Sequence, residues 1–149
     1  MNKKKSFVIK VLFVSLPLIA LDIISKLFAI AHSGVTACIA AKQICFRYTE
    51  NTGIAFSIPI PMLAITIINT LLLFSILKLA VDEFKLNKIT LLSISLILAG
   101  GVGNLIDRFL RSYVVDFISI LKFPIFNIAD IYISVAVLII IVFYGKIKR

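Results

Sequence analysis

The chain has 149 residues, 61% of them hydrophobic, and its mean hydropathy is +1.13. A soluble domain is closer to half apolar, so this composition excludes an ordinary water-soluble globule and indicates a membrane protein of one domain over 1–149. The net charge of +9 comes from basic residues near the chain ends and in the connections. Basic residues there set topology and contact anionic phospholipids. The sequence has no basic face interleaved with aromatic residues, so we do not expect it to bind nucleic acid.

Four apolar runs are long enough to cross a bilayer, which takes about 20 residues. They predict transmembrane helices over about 7–30, 62–80, 89–106 and 125–144. The first run starts with basic residues, as a signal peptide does, but it lacks a small-residue cleavage site before Asp22. It is therefore expected to remain as a span. The predicted fold is an all-α membrane protein with four transmembrane helices.

The segment at about 31–61 lies between the first two runs and has a different pattern. It alternates apolar and polar residues in ICFRYT and carries Gly53, Pro59 and Pro61. This pattern is typical of short strands, so we expect a small β-rich platform there. Cys38 and Cys45 lie in the same segment without the spacing of a zinc site. A disulfide between them is one interpretation, and plain packing of the two side chains is the favoured one.

The distribution of Lys and Arg predicts the orientation. Ten of them lie in the N-terminal segment, the connection between the second and third runs, and the C-terminal segment, against six elsewhere. Cytoplasmic segments carry the excess of basic residues, so both termini are expected in the cytoplasm. The segment at about 31–61 and most of the acidic residues then lie on the extracytoplasmic side.

Two aspartates, Asp116 and Asp130, stand in the otherwise apolar stretch 113–144. Placing a carboxylate near hydrocarbon costs free energy, so we expect each aspartate to have a structural or functional role there. The helix dipole would explain one acid at a helix start, but not the second. If the two converge, repulsion keeps one protonated while the other activates a water. The sequence has no HExxH or other zinc motif, so we expect hydrolysis with neither metal nor cofactor.

Other polar residues fall at helix ends on the same predicted side. Asp22 and Lys26 are four residues apart, as are Asn104 and Arg108, so each pair shares a helix face. A salt-bridged helix end, with Lys26 reaching the interface, is the structural alternative for the first pair. The glycines of AGGVGN indicate close helix packing. Asn104 is harder to explain structurally, because an amide within the membrane needs an internal partner.

Five short blocks occur in a specific order and spacing: DIISK at 22–26, NTGIAF at 51–56, GGVGNLIDR at 100–108, VVDF at 114–117 and FNIAD at 126–130. With these blocks the whole chain resembles the bacterial lipoprotein signal peptidases, or signal peptidase II, a family of aspartyl membrane proteases.

The resemblance implies an activity, a location and a site. The family removes signal peptides from diacylglyceryl-modified prolipoproteins in the bacterial cell membrane, cleaving just before the lipidated cysteine. Cyclic peptide inhibitors such as globomycin are expected to bind. The resemblance makes Asp116 and Asp130 the catalytic residues. It also implies a substrate-binding or site-shaping role for Asp22, Lys26, Asn51, Gly53, Phe56, Asn104, Arg108 and Asn127.

Three other functions are alternatives. Intramembrane proteases with a GxGD motif need an acid where this chain has Asn104. A proton-coupled carrier could use Asp116 or Asp130 as a relay, but carriers usually contain internal repeats, and none is visible in the sequence. A purely structural membrane adaptor would leave the clustered polar residues unexplained.

Overall fold

The computed structural model describes residues 2–41, 43–53 and 61–148. These residues form a mostly helical protein with one small sheet. In chain order the elements are α1 (Lys3–Ala31), β1 (Thr36–Ile39), β2 (Ile44–Asn51), α2 (Met62–Glu83), α3 (Lys88–Arg111), β3 (Val114–Ile120), α4 (Ile128–Val142) and α5 (Tyr144–Ile147).

Three helices, α1, α2 and α3, are long and apolar enough to cross a membrane. The fourth predicted span is shorter, because residues 125–127 are not helical and α4 has 15 residues before the short α5. At about 1.5 Å per residue, α4 alone covers less than a typical hydrocarbon core of about 30 Å. Large apolar side chains on α1 and α2 point outward, with Phe13 79% and Phe74 68% exposed. Such a surface suits contact with lipid.

Helix α3 lies at the centre and packs on α1, α2 and α4. Its glycines permit this close approach, as the sequence predicts. A Cβ atom added at Gly100 would collide with the carbonyl oxygen of Ala129 in α4. One added at Gly103 would collide with the carboxylate of Asp22 in α1. Helices α1 and α4, which carry Asp22 and Asp130, are thus packed closely against α3.

The sheet is antiparallel, in the order β1-β2-β3, and it sits at the end of the bundle where α1 and α3 finish and α2 and α4 begin. We call this the sheet end. The sequence predicts strands only in the segment at about 31–61, but residues 114–120 also form a strand, β3. Residues 114–117 are all buried, so they lack the alternation that reveals a half-exposed strand. Their β-branched and aromatic side chains fit a sheet.

Cys38 and Cys45 form a disulfide, so the favoured expectation of plain packing is wrong. The register of the hairpin explains the bond. Cys38 in β1 is directly opposite Cys45 in β2, with Cα atoms 4.1 Å apart. This is the closer of the two pairings in an antiparallel ladder.

Candidate active site

Asp116 lies on β3, where it pairs with Thr49 of β2, and it is only 2% exposed. Two side-chain amides hold its carboxylate. Asn51 Nδ2 donates to Oδ2 at 2.8 Å, and Asn127 Nδ2 donates to Oδ1 at 2.7 Å. The strand therefore fixes the backbone of this aspartate, while amides from two other segments orient its oxygens.

Asp130 lies in the first turn of α4, where the N-terminal dipole favours a carboxylate. Asn127 caps the helix, and the two residues form a capping box. Asn127 Oδ1 accepts from the backbone N–H of Asp130 at 3.0 Å, and Asp130 Oδ2 accepts from the backbone N–H of Asn127 at 3.1 Å. The other oxygen, Oδ1, accepts from Asn104 Nδ2 at 2.9 Å.

Asn127 joins the two aspartates. Its side chain donates to Asp116, its backbone donates to Asp130, and its Nδ2 also donates to Asn104 Oδ1 at 3.1 Å. The residue is 0% exposed, so this arrangement is shielded from competing solvent. Asp116 and Asp130 are close enough to interact electrostatically.

The environment of Asp116 changes its acidity. Burial raises the pKa of its carboxyl group to about 6, and the charge of Asp130 acts in the same direction. The hydrogen bonds from Asn51 and Asn127 and the charge of Lys26 oppose this rise in pKa. Because a pKa of about 6 is close to neutral pH, this carboxyl group can exchange a proton under ordinary conditions.

Lys26 sits beside the aspartates and is 2% exposed. The structural alternative expected Lys26 to reach the membrane interface, and this is wrong, because the side chain is buried. Its Nζ atom lies 2.9 Å from Asp22 Oδ2 and 3.2 Å from Asp107 Oδ2, and it donates to Asn104 Oδ1 at 2.9 Å. Asp22 Oδ1 accepts from the backbone N–H of Ala129 at 2.9 Å. Asp22 and Lys26 thus connect α1 to the start of α4 and to Asn104.

Asp107 is a site residue absent from the candidates that the sequence analysis names. Its spacing of four residues from Arg111 predicts only a pair at the end of the helix. That pair exists at 2.7 Å. However, Asp107 Oδ2 also accepts from the backbone N–H of Val115 at 3.1 Å. Val115 precedes Asp116, so Asp107 anchors the strand that carries this aspartate. The sequence feature that points to Asp107 as a site residue is its position three residues after Asn104, on a neighbouring face of α3.

Gly53 forms a turn that orients Asn51, the residue whose amide contacts Asp116. Its φ is +127°, a conformation that favours glycine. Its backbone N–H donates to Asn51 Oδ1 at 3.0 Å. This turn leaves the Asn51 amide nitrogen for Asp116. Phe56, the remaining predicted residue of the same block, lies outside the described residues.

A cavity of about 260 Å³ lies between α2, α3 and α4. We call it the interhelical cleft. Asp130, Asn104 and Arg108 lie along it, and Nε of Arg108 is buried and has no hydrogen-bond partner among residues 2–41, 43–53 and 61–148. The cleft's full lining is Asn69, Leu72, Leu73, Ile76, Ile97, Gly101, Asn104, Arg108, Asp130 and Ile133.

Asp116 faces a different cavity, on the sheet side, of about 350 Å³. Polar residues of β2 and the turn after it form much of its wall, including Glu50, Asn51 and Thr52. Asp130 therefore lines a mostly aliphatic cavity between helices, and Asp116 lines a cavity with a more polar wall beside the sheet. In the part of the chain that the structure describes, no cluster of three or more His, Cys, Asp or Glu residues could hold a metal.

Comparisons with known proteins agree with this architecture. A sequence profile described as Signal peptidase (SPase) II matches residues 14–145. The chain belongs to the signal peptidase II family. A protein named lipoprotein signal peptidase from Clostridium tetani is 38% identical over 139 residues, covering 86% of this chain and 87% of the relative. Another of that name from Chlorobium phaeobacteroides is 35% identical, covering 86% and 91%.

Solved structures support the same assignment. One, described as a bacterial membrane enzyme, has a TM-score of 0.79 and 29% identity, and the match covers 91% of this chain and 87% of that one. The resemblance found in the five sequence blocks is thus confirmed. The chain is a membrane protein and a protease of the family that removes signal peptides from lipoproteins.

Proposed function

We propose that the chain cleaves diacylglyceryl-modified prolipoproteins just before the lipidated cysteine, using Asp116 and Asp130 as a catalytic pair. The observation that carries the proposal is their shared partner, Asn127, which contacts both carboxylates. Among the described residues neither aspartate forms a salt bridge. Each is held by amides instead, and the charge of Lys26 acts on Asp116 without forming an ion pair with it.

In this scheme the pair shares one proton, because two carboxylates that interact electrostatically do not both ionise at low cost. The ionised member takes a proton from a water as that water attacks the scissile carbonyl. The protonated member donates to the carbonyl oxygen, and the leaving amine is then protonated by the pair. No metal or cofactor takes part in this scheme.

The surrounding residues position the two acids. Asn51, Asn104 and Asn127 orient the carboxylate oxygens, and the turn at Gly53 orients Asn51. Asp22 and Lys26 fix the start of α4 through Ala129 and Asn104. Arg108 contacts the substrate from the cleft. Phe56, by the family resemblance, is a further substrate-binding or site-shaping residue.

The substrate and the water arrive from different sides. The apolar part of a signal peptide enters the interhelical cleft from the bilayer, where Asp130 lies at the polar end. Water enters through the polar cavity beside β2, which Asp116 lines. Cleavage at this boundary suits a substrate whose scissile bond lies next to an acyl chain anchored in lipid.

The proposed topology places this boundary outside the cytoplasm. Residues 1–149 form one peptidase domain in the bacterial cell membrane, with both termini cytoplasmic and α4 with α5 as the fourth crossing. Membrane phospholipids surround it, and cyclic peptides such as globomycin compete with the substrate. A reporter fused after Lys85 should be cytoplasmic, and one inserted at Gly34 should be extracytoplasmic. The reverse pattern would contradict the proposal.

The decisive experiment uses the purified protein and a synthetic prolipoprotein peptide, with and without diacylglyceryl on its cysteine. Mass spectrometry should find cleavage only of the lipidated peptide, at the bond before that cysteine, and none with Asp116→Asn. Equal cleavage of the unlipidated peptide, or cleavage at another bond, would overturn the substrate assignment. Loss of activity in EDTA that zinc restores would overturn the metal-free mechanism.

A further inference from the structure

Asn69, on α2, is a polar residue that the proposed catalytic scheme does not use. The other polar residues nearby on α2 donate to carbonyls of their own helix: Thr66 to Met62 at 2.9 Å, and Thr70 to Thr66 at 2.7 Å. The side chain of Asn69 makes no hydrogen bond to any residue within 2–41, 43–53 and 61–148, and it lines the interhelical cleft.

An amide in this position is costly unless something bonds to it. Helix α2 is long and apolar enough to cross a membrane, and Leu71 and Leu72, two and three residues after Asn69, are more than half exposed. Lipid tails offer no hydrogen-bond partner, and an unsatisfied polar group in hydrocarbon costs several kcal/mol. In a spanning helix, a polar side chain that bonds to none of the described residues indicates a ligand.

The rest of the cleft defines what that ligand is. Arg108 brings a second unpartnered donor, because its Nε atom is buried and bonds to none of the described residues. Asn104 and Asp130 are already bonded to each other. Beyond this polar end the walls are aliphatic, formed by Leu72, Leu73, Ile76, Ile97 and Ile133. Two donors that bond to none of the described residues, next to an aliphatic wall, fit a carbonyl oxygen attached to an apolar chain.

We propose that Asn69 is a substrate-binding residue whose side-chain amide donates to a carbonyl oxygen of the lipid-modified substrate in the cleft. This inference rests on the proposed function. The carbonyl belongs either to an ester of the diacylglyceryl group or to the backbone of the signal peptide, since both place a carbonyl next to an apolar chain. Asn69 then contributes to affinity and not to the chemical step.

The test compares Asn69→Leu with the neighbouring Thr70→Val, which also removes a polar group from α2 but one that bonds within the helix. Two lipopeptides of identical sequence carry either ester-linked or ether-linked chains on the cysteine. We expect Asn69→Leu to raise KM about five- to tenfold with kcat nearly unchanged, as for loss of one hydrogen bond. Its Tm should equal or exceed that of the wild type, because no internal bond is lost.

The two substrates identify the carbonyl. A KM increase confined to the ester lipopeptide assigns the contact to the diacylglyceryl group, and an equal increase for both assigns it to the peptide. A KM change no larger than that of Thr70→Val overturns the inference, and so does a lower Tm with a loss of kcat alone.

Binding of a fluorescent ester lipopeptide to both proteins separates this inference from the proposed function. If the wild type binds it without cleaving it, the proposed function fails. Weaker binding to Asn69→Leu would still support the cleft contact, and unchanged binding would overturn it.

Discussion

Two pairs of acidic residues gather at the sheet end, and they are held in different ways. Asp22 and Asp107 contact Lys26 directly, at 2.9 and 3.2 Å, and are almost fully buried. Asp116 and Asp130 contact amides and backbone N–H groups, and no salt bridge involves them among the described residues. A cation fixes a carboxylate in its charged form, whereas a neutral donor leaves it able to gain a proton. The first pair supports the structure, and the second is suited to proton transfer.

The largest effect should come from removing one acid of the amide-held pair. Asp116→Asn or Asp130→Asn leaves one carboxyl group where the mechanism needs two, so cleavage should fall by at least about 10³-fold. Tm should not fall substantially, because the new amide introduces no unpaired charge. Turnover of lipidated peptide measures the first effect, and thermal unfolding in detergent measures the second.

The matched control is Asp82→Asn, which changes an exposed acid that pairs with Lys4 at the other end of the bundle. It should cleave normally. Half of wild-type turnover in either catalytic variant would remove that residue from the mechanism.

Removing the cation of the other pair should damage stability first. Lys26→Met leaves Asp22 and Asp107 buried without their shared partner, and such a loss costs about 3–5 kcal/mol. The midpoint of thermal unfolding should drop sharply, and Asp22→Asn in the same protein should restore part of it. Lys4→Met, which breaks an exposed pair, should change the free energy of unfolding by no more than about 1 kcal/mol. A Lys26→Met protein as stable as Lys4→Met would remove the distinction between the two pairs.

A smaller effect should appear in how Tm depends on pH, and it concerns Asp116 of the amide-held pair. The folded-state pKa of Asp116 is raised from 3.8 to about 6, so the stability gained from its protonation is complete below pH 3.8. That contribution is lost as pH rises through about 6. The Tm of the wild type should therefore decline across this window relative to that of Asp116→Asn. If plots of Tm against pH for the wild type and Asp116→Asn run parallel, that result would contradict the raised pKa of Asp116.

Asn51→Leu sharpens the same measurement. It removes a hydrogen bond that lowers the pKa of Asp116, so the decline in Tm should move to higher pH, as should the matching limb of the pH–rate profile. A shift to lower pH would show that Asn51 does not stabilise the carboxylate.

The smallest effect on cleavage should come from the disulfide. Replacing both Cys38 and Cys45 with Ser opens a short loop, which costs no more than about 2–3 kcal/mol. The disulfide links β1 to β2, whereas β3 carries Asp116. Cleavage should therefore stay within about twofold of the wild type. A tenfold loss of kcat would show that β1 helps to position the site.

The sequence allowed the apolar helices, the β platform and the five family blocks to be predicted, because each leaves a local pattern. The approach of Gly103 to Asp22 was predictable only as small-residue packing, since the pattern does not name the partner. Strand β3 escaped because burial of residues 114–117 removes their alternation. The role of Asp107 at Val115 escaped because a hydrogen bond to a backbone N–H depends on the fold and leaves no residue signature.

The helical spacing of the charged pairs has a consequence for how the protein enters the membrane. Asp22 and Lys26 are one turn apart on α1, and Asp107 and Arg111 are one turn apart on α3. Each helix therefore carries a counter-ion for its own buried aspartate before it meets any neighbour. The contact between Lys26 and Asp107 forms only when α1 and α3 associate. Biogenesis can thus insert the helices one at a time and leave assembly of the polar centre to their later association within the lipid.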